Sequence, residues 1–200
     1  LIPQEIHMAQ DLTVAENVMM TGYPKKAGRI DWDFMKTRTI ELQKRIGIEN
    51  YFTPDTLVGT LSMGHQQLIE VMKAISTELK VIAFDEPTSS LSDDESERLF
   101  ELIDELKKAG VSIIYVSHRL PEIFRICDRI TVFKDGKYIS TDEAKDVTPE
   151  MIVSRMVGRE MAGFKKTAVT ADYSETVLQV KDLKWKNYVR GVSFDLHKGE

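Results

Sequence analysis

Apolar residues recur at helical intervals over the first third of this chain and in short strand-like runs beyond it. Thr13-Val14-Ala15-Glu16 spaces a hydroxyl and a carboxylate as a capping box, and Val14, Val18 and Met19 share one side of the helix it starts. Over Asp31–Ile46, Phe34, Met35, Leu42 and Ile46 define an inward stripe, and Gly47 supplies a stop. After Pro54, Ser62 reads as the N-cap of a third helix whose inward face carries Leu68, Val71, Met72 and Ile75. The stretch from Gln4 to Ile75 is therefore predicted to be mostly helical.

The pattern then changes. Val81–Phe84 is continuously apolar, as in a strand covered on both faces. Ser92-Asp93-Asp94-Glu95 is a second capping box, and its helix runs through Leu99, Ile103 and Leu106 to Gly110. Val111–Val116 is another apolar strand, so this strand–helix–strand unit implies a parallel crossover. A short helix over Glu122–Cys127 leads to Ile130–Phe133. The Asp135-Gly136 turn then closes a hairpin with Tyr138-Ile139, and Pro149 opens one more helix. Residues 160–176 lose apolar periodicity and read as a linker. Beyond them Leu178 and Val180, then Val192, Phe194 and Leu196, mark two further strands.

Composition narrows the class. The 200 residues are 42% hydrophobic and 30% charged, enough for a real core. The formal net charge of −5, with both signs interspersed, leaves no electrostatic footprint for nucleic acid. No apolar run approaches the roughly 20 residues that span a bilayer. Cys127 stands alone among Ile123, Phe124 and Ile126 and reads as a buried small hydrophobe, which suits a reducing, cytosolic setting.

Two runs carry candidate chemistry. Leu61-Ser62-Met63-Gly64-His65-Gln66-Gln67 puts a hydroxyl and a glycine at a helix start, where unpaired N–H groups attract anions. Val81–Phe84 delivers Asp85 and Glu86 to a strand end, where one carboxylate can face a divalent cation and the other a water. His118 follows Val116 through Ser117 at the end where such sheets bind ligands, within reach of a phosphate held beside Asp85 and Glu86. A phosphate-cradling G-x-x-x-x-G-K-[ST] run is missing. Gly136-Lys137-Tyr138 comes nearest but lacks the hydroxyl and sits in a hairpin turn. The absent initiator methionine and the stop at Lys198-Gly199-Glu200 read as marks of a fragment.

In combination these runs resemble the later part of an ABC nucleotide-binding domain. They are most similar to the first of two tandem domains in bacterial monosaccharide-import ATPases. The likeness spans Pro3-Gln4-Glu5, Leu12–Asn17, Leu61–Gln67, Asp85–Leu91, Val116–Arg119 and Asp128–Gly136. It implies an α/β, P-loop NTPase-like fold without its P-loop portion. Residues 1–78 would form the helical signature subdomain with its Q-loop, and 79–159 the α/β core with Walker B, D-loop and switch histidine. Residues 160–176 would be the linker, and 177–200 the first strands of a second copy.

The resemblance also assigns roles. Gln4 would be the Q-loop glutamine that reaches Mg2+ and the attacking water. Asp85 would hold Mg2+, Glu86 would be the general base, and His118 would contact the γ-phosphate. Ser62 and Gly64 would bind ATP held on the opposing nucleotide-binding domain. Membrane permease subunits and a periplasmic or surface sugar-binding protein would complete the complex, at the cytoplasmic face of the membrane and without nucleic acid. Met63, His65 and Ser92 depart from the usual pattern, at positions bearing on the trans contact and on the symmetry of the two sites. Two other readings are a soluble ABC ATPase without a membrane partner and a truncated non-hydrolytic relic. The acidic charge and short linker weigh against the first.

Overall fold

The computed structural model describes residues 1–157, 172–186 and 188–199. It separates into two compact units, one over 1–157 and the other holding the described residues from 172 onward.

In the first unit, helix α1 (Val14–Val18) carries the expected reciprocal cap between Thr13 and Glu16. A two-stranded ribbon, β1 (Lys25–Lys26) and β2 (Arg29–Ile30), interrupts the region expected to be helical. Its turn is Ala27-Gly28, both at positive φ (51° and 81°), as tight hairpins require. Helix α2 (Trp32–Ile46) is capped by Asp31 and ends in left-handed Gly47. Met35, Leu42 and Ile46 are buried as expected, whereas Phe34 is 53% exposed. Thr39 and Gln43 take its inward place: Thr39 donates to the Met35 carbonyl and Gln43 to that of Phe52. Helix α3 (Met63–Ile75) buries Leu68, Val71, Met72 and Ile75, as its periodicity predicts.

Strand β3 (Val81–Asp85) pairs in parallel with β4 (Ser112–Val116) across helix α4 (Asp93–Lys108). On its other edge β3 takes the opening segment, where Ile2 bridges Phe84 in parallel. Coverage of both faces is not met. Ile82 and Phe84 enter the core, but Val81, Ile114 and Val116, at 55%, 55% and 51% exposure, have no layer over them among the described residues. Side chains alternate across a strand, and the neighbouring helices bury only one of the two sets.

Helix α5 (Leu120–Ile126), the antiparallel pair β5 (Arg129–Lys134) and β6 (Lys137–Glu143), and helix α6 (Pro149–Val157) finish the unit. The hairpin turn is Asp135-Gly136, both at positive φ. One large apolar core runs from Ile2 through the helices to Ile126, so the helical and strand portions share it. A smaller core gathers Ile123, Ile130, Val132, Val147 and Ile152. Cys127 is half-buried between the two. Burial pushes its thiol above the usual range, with Asp128 adding to the effect and Lys107 opposing it.

The second unit is a long antiparallel hairpin of β7 (Asp172–Trp185) and β8 (Val189–Lys198), its register broken by several irregularities. Most of the linker read over 160–176 lies outside the described residues, and 172–176 already belong to β7.

Candidate functional site

Three chain segments end together at one edge of the parallel sheet. Strand β3 delivers Asp85 and Glu86, and β4 delivers Ser117 and His118. The opening segment delivers Gln4, two residues past the Ile2–Phe84 bridge. The Asp85 amide donates to the Ile2 carbonyl (3.0 Å), and the Glu86 amide donates to that of Val116 (2.9 Å). Asp85 is half-buried and Gln4 exposed.

Glu86 is the strained member. Its φ is +47°, in the left-handed region that L-residues other than Asn and Asp rarely enter. In that conformation its carboxylate Oε1 lies 2.8 Å from His118 Nδ1. The Glu86 side chain is 25% exposed and the His118 ring 69% exposed, so the pair faces water.

A second set of contacts lies just behind. Thr88 and Glu122 are both buried, and the Thr88 hydroxyl donates to Glu122 Oε1 (2.8 Å). The Tyr115 and Ser117 hydroxyls donate to the other oxygen, Oε2, at 2.9 and 3.2 Å. Burial, and then the Glu122 carboxylate, push the Tyr115 phenol well above its ordinary range. Sequence reasoning missed Glu122 and Tyr115. Periodicity sees Glu122 as an ordinary acid in the first turn of a short helix. The one available signal is its position directly before the apolar pair Ile123-Phe124.

Ser62 and Gly64 are assembled apart from this edge. Ser62 caps α3, its hydroxyl accepting from the His65 amide at 3.2 Å. Gly64 is buried against the α4 approach: a Cβ there would lie 2.9 Å from the Ser90 carbonyl oxygen and 3.1 Å from Glu95 Oε2. His65 leans toward Tyr51 and Phe52, with Nε2 3.5 Å from Glu95. Among the described residues no hydrogen bond joins Ser62 or Gly64 to Glu86 or His118.

Sequence comparison decides the family. The ABC transporter pattern matches residues 1–89. All of this chain aligns with the ribose import ATP-binding protein RbsA 1 of Burkholderia ambifaria at 42% identity. It aligns likewise with the arabinose import ATP-binding protein AraG of Vibrio parahaemolyticus at 40% identity.

The chain carries an ABC transporter domain over residues 1–89.

It spans 39% of the length of each of these two relatives. A dimeric ATP-binding cassette solved in a post-hydrolysis state with ADP and Pi shares the fold at a TM-score of 0.62. That likeness has 24% identity and covers 72% of this chain and 61% of the other. The ABC fold thus accounts for the parallel β3–β4 pair and the helical portion packed on it. Among the described residues no helix is long and apolar enough to cross a membrane.

Among the described residues no group of three or more His, Cys, Asp or Glu side chains could hold a metal by itself. Mg2+ asks for less, because it takes one or two carboxylates and completes its shell with water and substrate phosphates. Asp85 and the Gln4 side-chain carbonyl are hard oxygen donors at one sheet edge and fit that share.

Proposed function

We propose that this chain is the post-P-loop part of the first nucleotide-binding domain of an ATP-hydrolysing subunit that energises monosaccharide import. The observation that carries the reading is the 2.8 Å contact between Glu86 and His118 at the ends of two paired parallel strands. It is supported by the sugar-import names of relatives that align with the whole chain. Those names differ in the sugar, so the reading stops at the monosaccharide class. Residues 1–78 form the helical portion, 79–159 the α/β portion, and 177–200 the opening of a second domain, whose first strand starts already at Asp172 within the stretch 160–176 read as a linker.

In this reading Asp85 and Gln4 would hold Mg2+. When bound, the ion would supply charge neutralisation for phosphoryl transfer. Glu86 takes a proton from the attacking water through Oε2, the carboxylate oxygen that does not face His118 Nδ1. His118 donates toward the γ-phosphate and, through Nδ1, holds Glu86 in place. Ser62 and the first-turn amides of α3, including that of Gly64, meet ATP carried by the opposing domain, since helix starts offer unpaired donors. Closure of the two domains on ATP and their opening after hydrolysis then drive the membrane permease subunits at the cytoplasmic face. A sugar-binding protein delivers the cargo.

The test uses the full-length protein carrying this chain. Glu86→Gln is expected to retain ATP binding and to lose single-site turnover by roughly 10²-fold or more, as removal of a general base does. Unchanged turnover would overturn the role of Glu86.

A further inference from the structure

Two side chains alone do not hold the Glu86–His118 contact. Glu86 sits at φ +47°, a conformation the chain leaves unless neighbouring contacts fix it. Its own turn is tied back by the Ser89 amide donating to the Glu86 carbonyl at 3.2 Å. His118 lies two residues beyond the end of the other strand, exposed, with nothing in its own side chain to set its height above the sheet.

Both segments converge on one group. Glu122 is 6% exposed and its two carboxylate oxygens divide the work. Oε1 accepts from Thr88, two residues past Glu86, at 2.8 Å, and forms an ion pair with the Arg119 guanidinium at 2.8 Å. Oε2 accepts from Ser117, the residue before His118, at 3.2 Å, and from Tyr115 at 2.9 Å. The Ser117 hydroxyl in turn accepts from the Arg119 amide at 3.0 Å, which ties the chain on both sides of His118. A buried carboxylate is tolerated only when donors satisfy it, and here the donors come from the two segments whose spacing decides the Glu86–His118 distance. The planar carboxylate fixes the two sets of donors relative to each other. A neutral amide would accept at one oxygen and present N–H to hydroxyls that are now donors.

We infer that Glu122 is a positioning residue for ATP hydrolysis, a buried clamp that holds the Glu86 turn and the His118 turn in register without touching the substrate. This rests on the ATPase reading above. The clamp itself is read by a measurement that does not involve turnover.

The experiment takes Glu122→Gln in the full-length protein. Turnover is expected to fall about tenfold or more, with the KM for ATP within about twofold of the parent. In a Glu86→Gln background the same change is expected to cost almost nothing further, because the clamp acts through Glu86. A merely structural role would lower the folded fraction, and with it turnover, by the same factor in both backgrounds. Hydrogen exchange of the amides of 86, 88 and 89 and of 117–119 is expected to quicken in both segments together. Unchanged turnover, equal losses in the two backgrounds, or unchanged exchange in either segment overturns the clamp. If Glu86→Gln alone leaves turnover intact, the general-base reading fails, and exchange still decides the clamp. Thr88→Val and Ser117→Ala each remove one arm and keep the carboxylate paired. Should Glu122→Gln not fold, each of these is expected to lower turnover about threefold and to quicken exchange in its own segment. No change in either variant refutes the assignment.

Discussion

Gly64 lies so close to Ser90 that a Cβ on it would approach the Ser90 carbonyl oxygen to 2.9 Å. The obstacle is backbone, which yields less readily than the end of a flexible side chain. The glycine is therefore required by packing as well as by any ligand at the start of α3. Gly64→Ala is expected to lower the stability of the nucleotide-free protein by about 1–3 kcal/mol, the usual range for overpacking. Ser62→Ala loses only the cap and is expected to cost about 1 kcal/mol. Thermal melts without ATP check both. A Gly64→Ala protein as stable as the parent would mean that the α4 approach gives way freely.

The backbone at Glu86 makes a second prediction. A left-handed conformation costs an ordinary L-residue about 1–2 kcal/mol, and Asn tolerates it better. Replacement also removes the contact with His118, which is largely exposed and so worth no more than about 1 kcal/mol. Glu86→Asn is expected to leave stability unchanged or to raise it by up to about 1 kcal/mol while turnover is lost. Chemical denaturation beside an ATPase assay checks this. A clear loss of stability would show that the strained turn depends on the glutamate side chain.

Much of this arrangement is legible in the sequence. Capping boxes at Thr13 and Ser92, the Gly47 stop and the Asp135-Gly136 turn rest on local contacts, and each forms where its residues predict. Asp85, Glu86 and His118 converge because parallel pairing of two apolar strands brings their carboxyl ends together. The rest depends on contacts distant in sequence. Phe34 fits the helical stripe but faces solvent, because Thr39 and Gln43 turn inward to satisfy their own hydrogen bonds. The apolar run Val81–Phe84 suggests two covered faces, yet a strand's periodicity cannot say which layers its neighbours supply. Glu122 is invisible to patterning because its importance comes from Thr88, 34 residues away.

Cys127 gives a chemical prediction. Its thiol is half-buried between two cores and its ionisation is pushed up, and the reactive species of a cysteine is the thiolate. Reaction with a disulfide reagent near pH 8 is expected to be much slower in the native protein than after denaturation. Equal rates in the two states would mean that the segment joining α5 to β5 opens readily.

The Tyr115 phenol links stability to pH in the alkaline range. In the folded state its phenol ionises above the ordinary value, because burial and the adjacent Glu122 carboxylate both oppose a phenolate. Above the ordinary tyrosine range near pH 10 the unfolded chain loses this proton and the folded chain keeps it, so the folded state binds more protons. Stability contributed by Tyr115 is then fully present below pH 10 and declines as pH rises further. Tyr115→Phe removes the hydroxyl and with it this slope. The parent and the variant are therefore expected to differ in stability by a constant amount from pH 7 to 9, and to converge from about pH 10 to 11.5. Urea denaturation at each pH measures the difference directly. A gap that stayed constant across the alkaline range would show that the Tyr115 phenol is free to ionise in the folded protein, and that its hydrogen bond to Glu122 does not persist in solution.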